Sequence, residues 1–214
     1  ATLTLANGKQ IVLSAAGAGQ IAEEAGMRVT KTADGQIMYE ILEAEATSDK
    51  TNTLSTANGQ TYVLTLPDQT KIWLNAASSL TYNTTLYSEG KRQVQLQGEA
   101  YFEVAKDPKH PFIVKSGSQS VEVLGTYFNI NSYADEEAIS TTLIEGSVRV
   151  EEGERKRILK PGQQAVNTGT AMTVQTVDTE IAVDWKDGDF VLNHVDFKSA
   201  MRKIARWYLS LIHI

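Results

Sequence analysis

Gly17, Gly19 and Ala22 have the spacing of a G-x-G-x-x-A turn, and they follow an apolar stretch that ends at Leu13. In a dinucleotide-binding fold such glycines let the backbone approach a pyrophosphate at a helix N-terminus, and a later acid takes the ribose hydroxyl. Asp34 and Glu40 stand roughly where that acid would be. Two carboxylates four residues apart, Glu99 and Glu103, raise acid–base chemistry, and Asp135-Glu136-Glu137 raises a bound cation.

None of these builds a site. The glycines are followed by short alternating segments and turns, without the crossover helices that a parallel dinucleotide-binding sheet requires. Gly17 and Gly19 therefore read as loop residues. On a strand, Glu99 and Glu103 would lie about 13 Å apart, beyond a glycosidase pair, and they read as solvent-facing charges. The acidic triplet lacks the alternating spacing and the glycine of a calcium loop. His110, His194 and His213 are far apart, and there is no cysteine, which removes disulfides, thiolate chemistry and most structural zinc sites. Ser78, Ser79 and Ser147 have no His-and-acid pattern beside them. The reading is a non-catalytic protein without cofactor or metal.

With a formal net charge of −6 and its basic residues scattered, the 214-residue chain lacks the clustered Lys and Arg of a nucleic-acid surface. Arg155-Lys156-Arg157 sits beside Glu151, Glu152 and Glu154 and reads as a solvated hairpin tip. No apolar run approaches the ~20 residues of a membrane span. The sequence contains no signal peptide, and because it begins at Ala1 and not Met the chain reads as part of a longer product.

The elements are mainly strands. From residue 54 onward the hydrophobic period is two, as in 61–66, 71–75, 92–104, 112–115, 120–125 and 147–150. Alternation puts one face inward, as in half-buried antiparallel strands. Gly98 interrupts the longest run and predicts a bulge or bend. Asn7-Gly8 and Asn58-Gly59, in the related strings "TLANGKQIVL" and "STANGQTYVL", predict two type I′ hairpins. "LPDQT" predicts a tight turn. Trp73, Tyr101, Phe102, Tyr127 and Phe128 read as core or cross-strand aromatics. Helical stretches are few: one or two turns within 18–26, and a short helix or linker at 178–185. A final helix, capped by Asp196, follows an alternating strand at 188–195. In that helix Phe197, Met201, Ile204 and Tyr208 form one inward apolar stripe. Trp207 falls at the stripe's edge, and with Arg202 and Arg206 it makes a candidate partner-binding patch.

Longer strings carry a family likeness. "LPDQTKIWLNAASSLTY", "VQLQGEAYFEVAKD", "PFIVK", "VEVLGTYFNINSY", "TTLIEGSVRV" and "LKPGQQA" occur in this order. Together they resemble the periplasmic region of the FecR-type anti-sigma factors, the form common in Bacteroidetes. "WKDGDFVLNHVDFKSAMRKIARWY" resembles the start of the small C-terminal domain of those proteins, so the likeness spans residues 1–208. Two departures stand out. Asp68-Gln69-Thr70 replaces the family's Asp-Gly-Thr turn. Leu209–Ile214 has no family counterpart and reads as a non-native tail.

The resemblance implies a mainly β fold of twisted antiparallel sheets, sandwich-like or solenoid-like, followed by the beginning of a small α/β unit. Residues 1–53 would form a β run-in, 54–178 the FecR-like domain, and 179–208 a linker and truncated small domain. It implies the periplasmic sensor region of a single-span inner-membrane protein. That protein would relay a signal from the signalling domain of an outer-membrane TonB-dependent transporter to an extracytoplasmic-function sigma factor. The sigma factor would be held by an N-terminal segment outside this chain, released by periplasmic and intramembrane proteases, and would control iron or glycan uptake genes. The rival reading is a non-catalytic periplasmic or surface carbohydrate-binding β module, which predicts a concave aromatic patch.

Overall fold

The computed structural model describes residues 1–24, 27–41, 50–189 and 197–208. In chain order the strands begin with β1 (Thr2–Thr4), β2 (Gln10–Val12), β3 (Gly19–Glu24), β4 (Met27–Lys31), β5 (Ile37–Ile41) and β6 (Thr51–Ser55). Next come β7 (Tyr62–Thr65), β8 (Lys71–Leu74), β9 (Ser79–Ser88), β10 (Lys91–Glu103), β11 (Phe112–Ser116) and β12 (Gln119–Val123). The last are β13 (Tyr127–Ser132), β14 (Ile139–Glu145), β15 (Val148–Glu152), β16 (Arg155–Leu159), β17 (Gln163–Asn167) and β18 (Met172–Thr176). Among the described residues two helices follow, α1 (Thr179–Val183) and α2 (Phe197–Trp207), with a 3₁₀ turn over Asp184–Asp187. The fold is mainly β.

The strands form two sheets that share β10. One runs β16-β15-β12-β11-β10-β9-β6-β1-β2. The other runs β18-β17-β14-β13-β10-β8-β7-β5-β4-β3. Pairing is antiparallel except β10 with β11 and β5 with β7. Both sheets feed one apolar core: Leu54, Leu80, Val94 and Leu96 from the first meet Ile72, Phe102, Phe128 and Ile130 from the second. Phe102 stacks on Phe128 with ring centroids 4.9 Å apart and planes within 9°. The core cluster extends from Leu3 to Met172.

Gly98 is where β10 changes sheets. Up to Gln97 the strand pairs with β9, and from Gly98 onward it pairs with β13. Gly98 has φ +90°, and a Cβ built there would sit 2.3 Å from Ser78 Oγ. Ser78 Oγ accepts the Glu99 amide at 2.9 Å, which fixes the corner. The predicted bend at Gly98 is therefore a crossing between two sheets.

The two Asn-Gly turns differ from each other. Asn7-Gly8 closes the β1–β2 hairpin, with Asn7 Oδ1 accepting the Lys9 amide at 2.8 Å. Asn58-Gly59 instead joins β6 to β7, which belong to different sheets. Only the glycine of each pair has positive φ, so neither is the type I′ turn that the dipeptide predicts. The stretch 18–26 also departs from expectation. Residues 19–24 form a strand paired with β4, because cross-strand contact between Ala22 and Val29 outweighs local helical preference. The predicted strand at 188–195 falls largely outside the described residues, as do the Asp196 cap and the tail at 209–214.

The "LPDQT" turn forms, with the Gln69 amide donating to Leu66 O at 3.0 Å. Gln69 takes φ +71°, a left-handed conformation that glycine adopts more readily. Asp68 holds the turn by accepting from the Thr70 amide at 3.0 Å and the Thr70 hydroxyl at 2.7 Å. At the β15–β16 hairpin, Arg155 pairs with Glu152 and Lys156 with Glu151. β16 is an edge strand, and its exposed Lys156 and Arg157 oppose edge-to-edge pairing.

Candidate functional site

The shared strand order decides what lies beneath the C-terminal helices. On one face of the second sheet, side chains from adjacent strands form polar rows. Tyr101 on β10 is opposite Asn129 on β13, which is opposite Thr142 on β14 and then Gln164 on β17. One step along, Glu99 is opposite Asn131, and Asn131 is opposite Ser140. These positions alternate with the inward-facing Ala100, Phe102 and Ile130, so they point away from the core. α1, the 3₁₀ turn and α2 lie over this face and border a partly open cavity of about 370 Å³.

Ion pairs hold α2 in place. Arg202 donates to Glu136 Oε2 from Nη2 at 2.6 Å and from Nε at 3.0 Å. Arg206 reaches Glu136 Oε1 from Nη1 at 2.9 Å and also pairs with Asp135. Its guanidinium lies 3.7 Å from the centroid of the Tyr133 ring. Lys203 Nζ donates to both Asp184 oxygens, at 3.0 and 2.8 Å. A backbone bond from the Gly59 amide to Arg206 O, 2.7 Å, ties the end of α2 to the β6–β7 turn. Arg206 is buried and Trp207 half-buried against the cavity. Thus Arg202, Arg206 and Trp207 do share one region, and the two arginines there engage this chain's own acids.

The two ends of the predicted apolar stripe are left uncovered: Phe197 and Tyr208 are 70% and 67% exposed, while Met201 and Ile204 are half-buried and Arg206 is buried. The reason is charge: Asp135, Glu136 and Asp184 line the docking surface and draw in the basic face. The acidic triplet at 135–137, read from sequence only as a poor calcium loop, supplies the counter-charges. Among the described residues no group of three or more His, Asp or Glu side chains is arranged to hold a metal ion. Gly17 and Gly19 lead into strand β3, so they open no helix that could receive a phosphate.

Glu99 corrects the sequence reading most sharply. It is 7% exposed, with no solvent-facing role. Its carboxylate accepts from Asn75 Nδ2 at 2.8 Å and from Asn129 Nδ2 at 3.0 Å. Alternation assigned Glu99 to the outward face correctly. That face is covered by the helices, which the pattern of β10 alone does not reveal. Burial raises the Glu99 pKa, an effect partly offset by the Asn129 and Asn75 hydrogen bonds and by Lys203 and Arg206. Burial also raises the pKa of the Tyr133 hydroxyl, which donates to Ala76 O at 2.6 Å.

The Glu99 shift has a definite sign in stability. Where the folded pKa exceeds the unfolded one, the native state binds more protons, and stability falls as pH rises. The fall begins near the ordinary value of 4.5 and ends above the raised folded value. Urea melts from acid to neutral pH should show this loss in the wild type, and Glu99→Gln should flatten it. An unchanged slope in the variant would assign the loss to other groups.

Residues 52–149 match the family model described as FecR protein. Two crystal structures of a candidate anti-sigma factor from Parabacteroides distasonis share the fold. The one at 2.50 Å resolution has a TM-score of 0.71 and 29% identity, covering 75% of this chain and 76% of that one. The one at 1.65 Å resolution has a TM-score of 0.70 and 29% identity, covering 74% and 75%. No curated protein matches the chain.

Proposed function

We propose that this chain, a FecR-type anti-sigma factor, is the periplasmic relay of a membrane-anchored regulator. It receives a signal from the signalling domain of an outer-membrane TonB-dependent transporter and controls, through proteolysis, an extracytoplasmic-function sigma factor held on the cytoplasmic side. The genes so controlled serve iron or glycan uptake. The FecR match over residues 52–149 carries this reading, and the anti-sigma neighbours support it. No helix among the described residues is long and apolar enough to cross a membrane.

The transporter contact is assigned to the C-terminal helical region, through Arg202, Arg206 and Trp207. A partner using the two arginines must compete with Glu136 and Asp135, which hold them in the structure. An internal competitor lowers apparent affinity by the fraction of time that it occupies the site. Opposite effects follow from the two sides of the clamp. Arg206→Ala should weaken binding to the transporter's signalling domain by at least about tenfold, as expected for an arginine anchor. Glu136→Gln should tighten it. Calorimetry with the isolated signalling domain measures both. Absence of binding by the wild type, or weakening by both variants alike, would overturn this assignment.

A further inference from the structure

The cavity beneath α1 and α2 holds polar groups that the fold itself does not use. Asn129 is 3% exposed, and its Nδ2 is committed to Glu99 Oε1, which fixes the amide so that Oδ1 is the free end. That Oδ1 has no hydrogen-bond partner among the described residues, nor has Asn131 Oδ1. Across from them Trp185 is 2% exposed, and its Nε1–H likewise lacks a partner. All three side chains line the same cavity. Leaving one such group unsatisfied in a buried place costs about 1–3 kcal/mol. Three in one cavity therefore call for an occupant.

The lining also sets the chemistry of that occupant. Asn129 and Asn131 offer acceptors, Glu99 is a further acceptor, and Trp185 offers a donor, so the ligand must both donate and accept. Lys203 and Arg206 on the lining are paired with Asp184 and Glu136, and the remaining acids, Glu99 and Glu137, repel an anion. No group of three or more acids or histidines among the described residues is placed to hold a metal cation. The indoles of Trp185 and Trp207 add apolar faces against which C–H groups can pack. A volume of about 370 Å³ lies in the range of small-molecule sites. We propose that this cavity binds a neutral, polyhydroxylated ring of monosaccharide size, held by Asn129, Asn131 and Glu99 from the sheet and by Trp185 from the helical cover. Arg206 and Trp207 also belong to the assigned transporter contact, but the sugar is held by Asn129, Asn131, Glu99 and Trp185, so sugar binding is read in the chain alone, without the transporter.

Thermal melting and tryptophan fluorescence of the chain, titrated with glucose, galactose and mannose, test the proposal. At least one sugar should raise Tm saturably, by about 5 °C at a hundredfold excess over Kd. Asn131→Leu removes an acceptor that no protein group uses, so it should fold normally and lose the response. Trp185→Phe keeps the ring packing but deletes the donor, and should weaken binding about tenfold. Putrescine and inorganic phosphate serve as charged probes. A linear rise that persists in both variants is solvent exclusion and overturns the site. So does silence with all three sugars, and so does a response to putrescine or phosphate alone.

Discussion

Gly98→Ala is expected to cost about 2–5 kcal/mol, a large share of the stability of an ordinary domain. The new Cβ would sit 2.3 Å from Ser78 Oγ, 2.7 Å from Ser78 Cβ and 2.8 Å from Ser78 Cα. A rotamer change can move the hydroxyl, but nothing short of a backbone shift moves the Cα. Positive φ adds about 1–2 kcal/mol for any side chain. The overlap adds a further overpacking cost of about 1–3 kcal/mol. Ser78 cannot retreat freely, because its amide donates to Thr56 Oγ1 and its Oγ accepts from Glu99. Gly153→Ala is the control. It has φ +56° and nothing within 4 Å of the added Cβ, so it carries backbone strain without overlap. Urea denaturation of the two variants separates the terms. Equal losses would show that the corner yields and that the Ser78 contact is unimportant.

The same corner shows how far the fold was legible. Period-two alternation on β10 places Val94, Leu96, Ala100 and Phe102 inward, and all four are buried. The glycine between them marks a break in that strand. The partner on each side of the break, β9 before and β8 and β13 after, is a long-range choice that no local pattern encodes. The Asn58-Gly59 turn misleads for the same reason. The dipeptide reports a reversal of the chain, while the pairing of the flanking strands depends on which sheet each one joins. At 18–26 alanines and glutamates favour a helix locally, and pairing with β4 decides otherwise.

The helical region was legible in its parts. Arg202, Arg206 and Trp207 stand out by residue type, and Asp135 and Glu136 by their acidity. Nothing in their spacing says that the two groups, some seventy residues apart, neutralise each other. The amphipathic stripe of α2 predicts burial of Phe197 and Tyr208 under the rule that apolar faces turn inward. That rule assumes an apolar receiving surface. Here the receiving surface is a row of amides, hydroxyls and carboxylates on the second sheet, and the basic face matches it better. Glu99 escaped notice for a related reason: an outward position on a strand is exposed only when no further layer covers the sheet.

Arg92→Met should be the other severe substitution, at about 3–5 kcal/mol, the cost of breaking a buried ion pair from one side. The Arg92 side chain is fully buried, and Asp68 is nearly so, at 7%. Nη1 donates to Asp68 Oδ2 at 2.7 Å and to Ala105 O at 2.9 Å, and Nε donates to His110 O at 2.8 Å. The guanidinium also lies 5.4 Å from the Phe112 ring centroid. Methionine fills much of the stem volume but leaves a carboxylate and two carbonyls without this donor. Asp68→Asn should cost less on its own, because Thr70 can still donate to the side chain and hold the Pro67–Gln69 turn. In the double variant the losses should fall short of additive by about 0.5–3 kcal/mol, the range for groups in direct contact. High salt should leave the coupling largely intact, since a buried pair is poorly screened. Denaturant melts of the four proteins give the cycle. Additive losses would mean that Arg92 acts through the two carbonyls and Phe112, with Asp68 serving only its own turn.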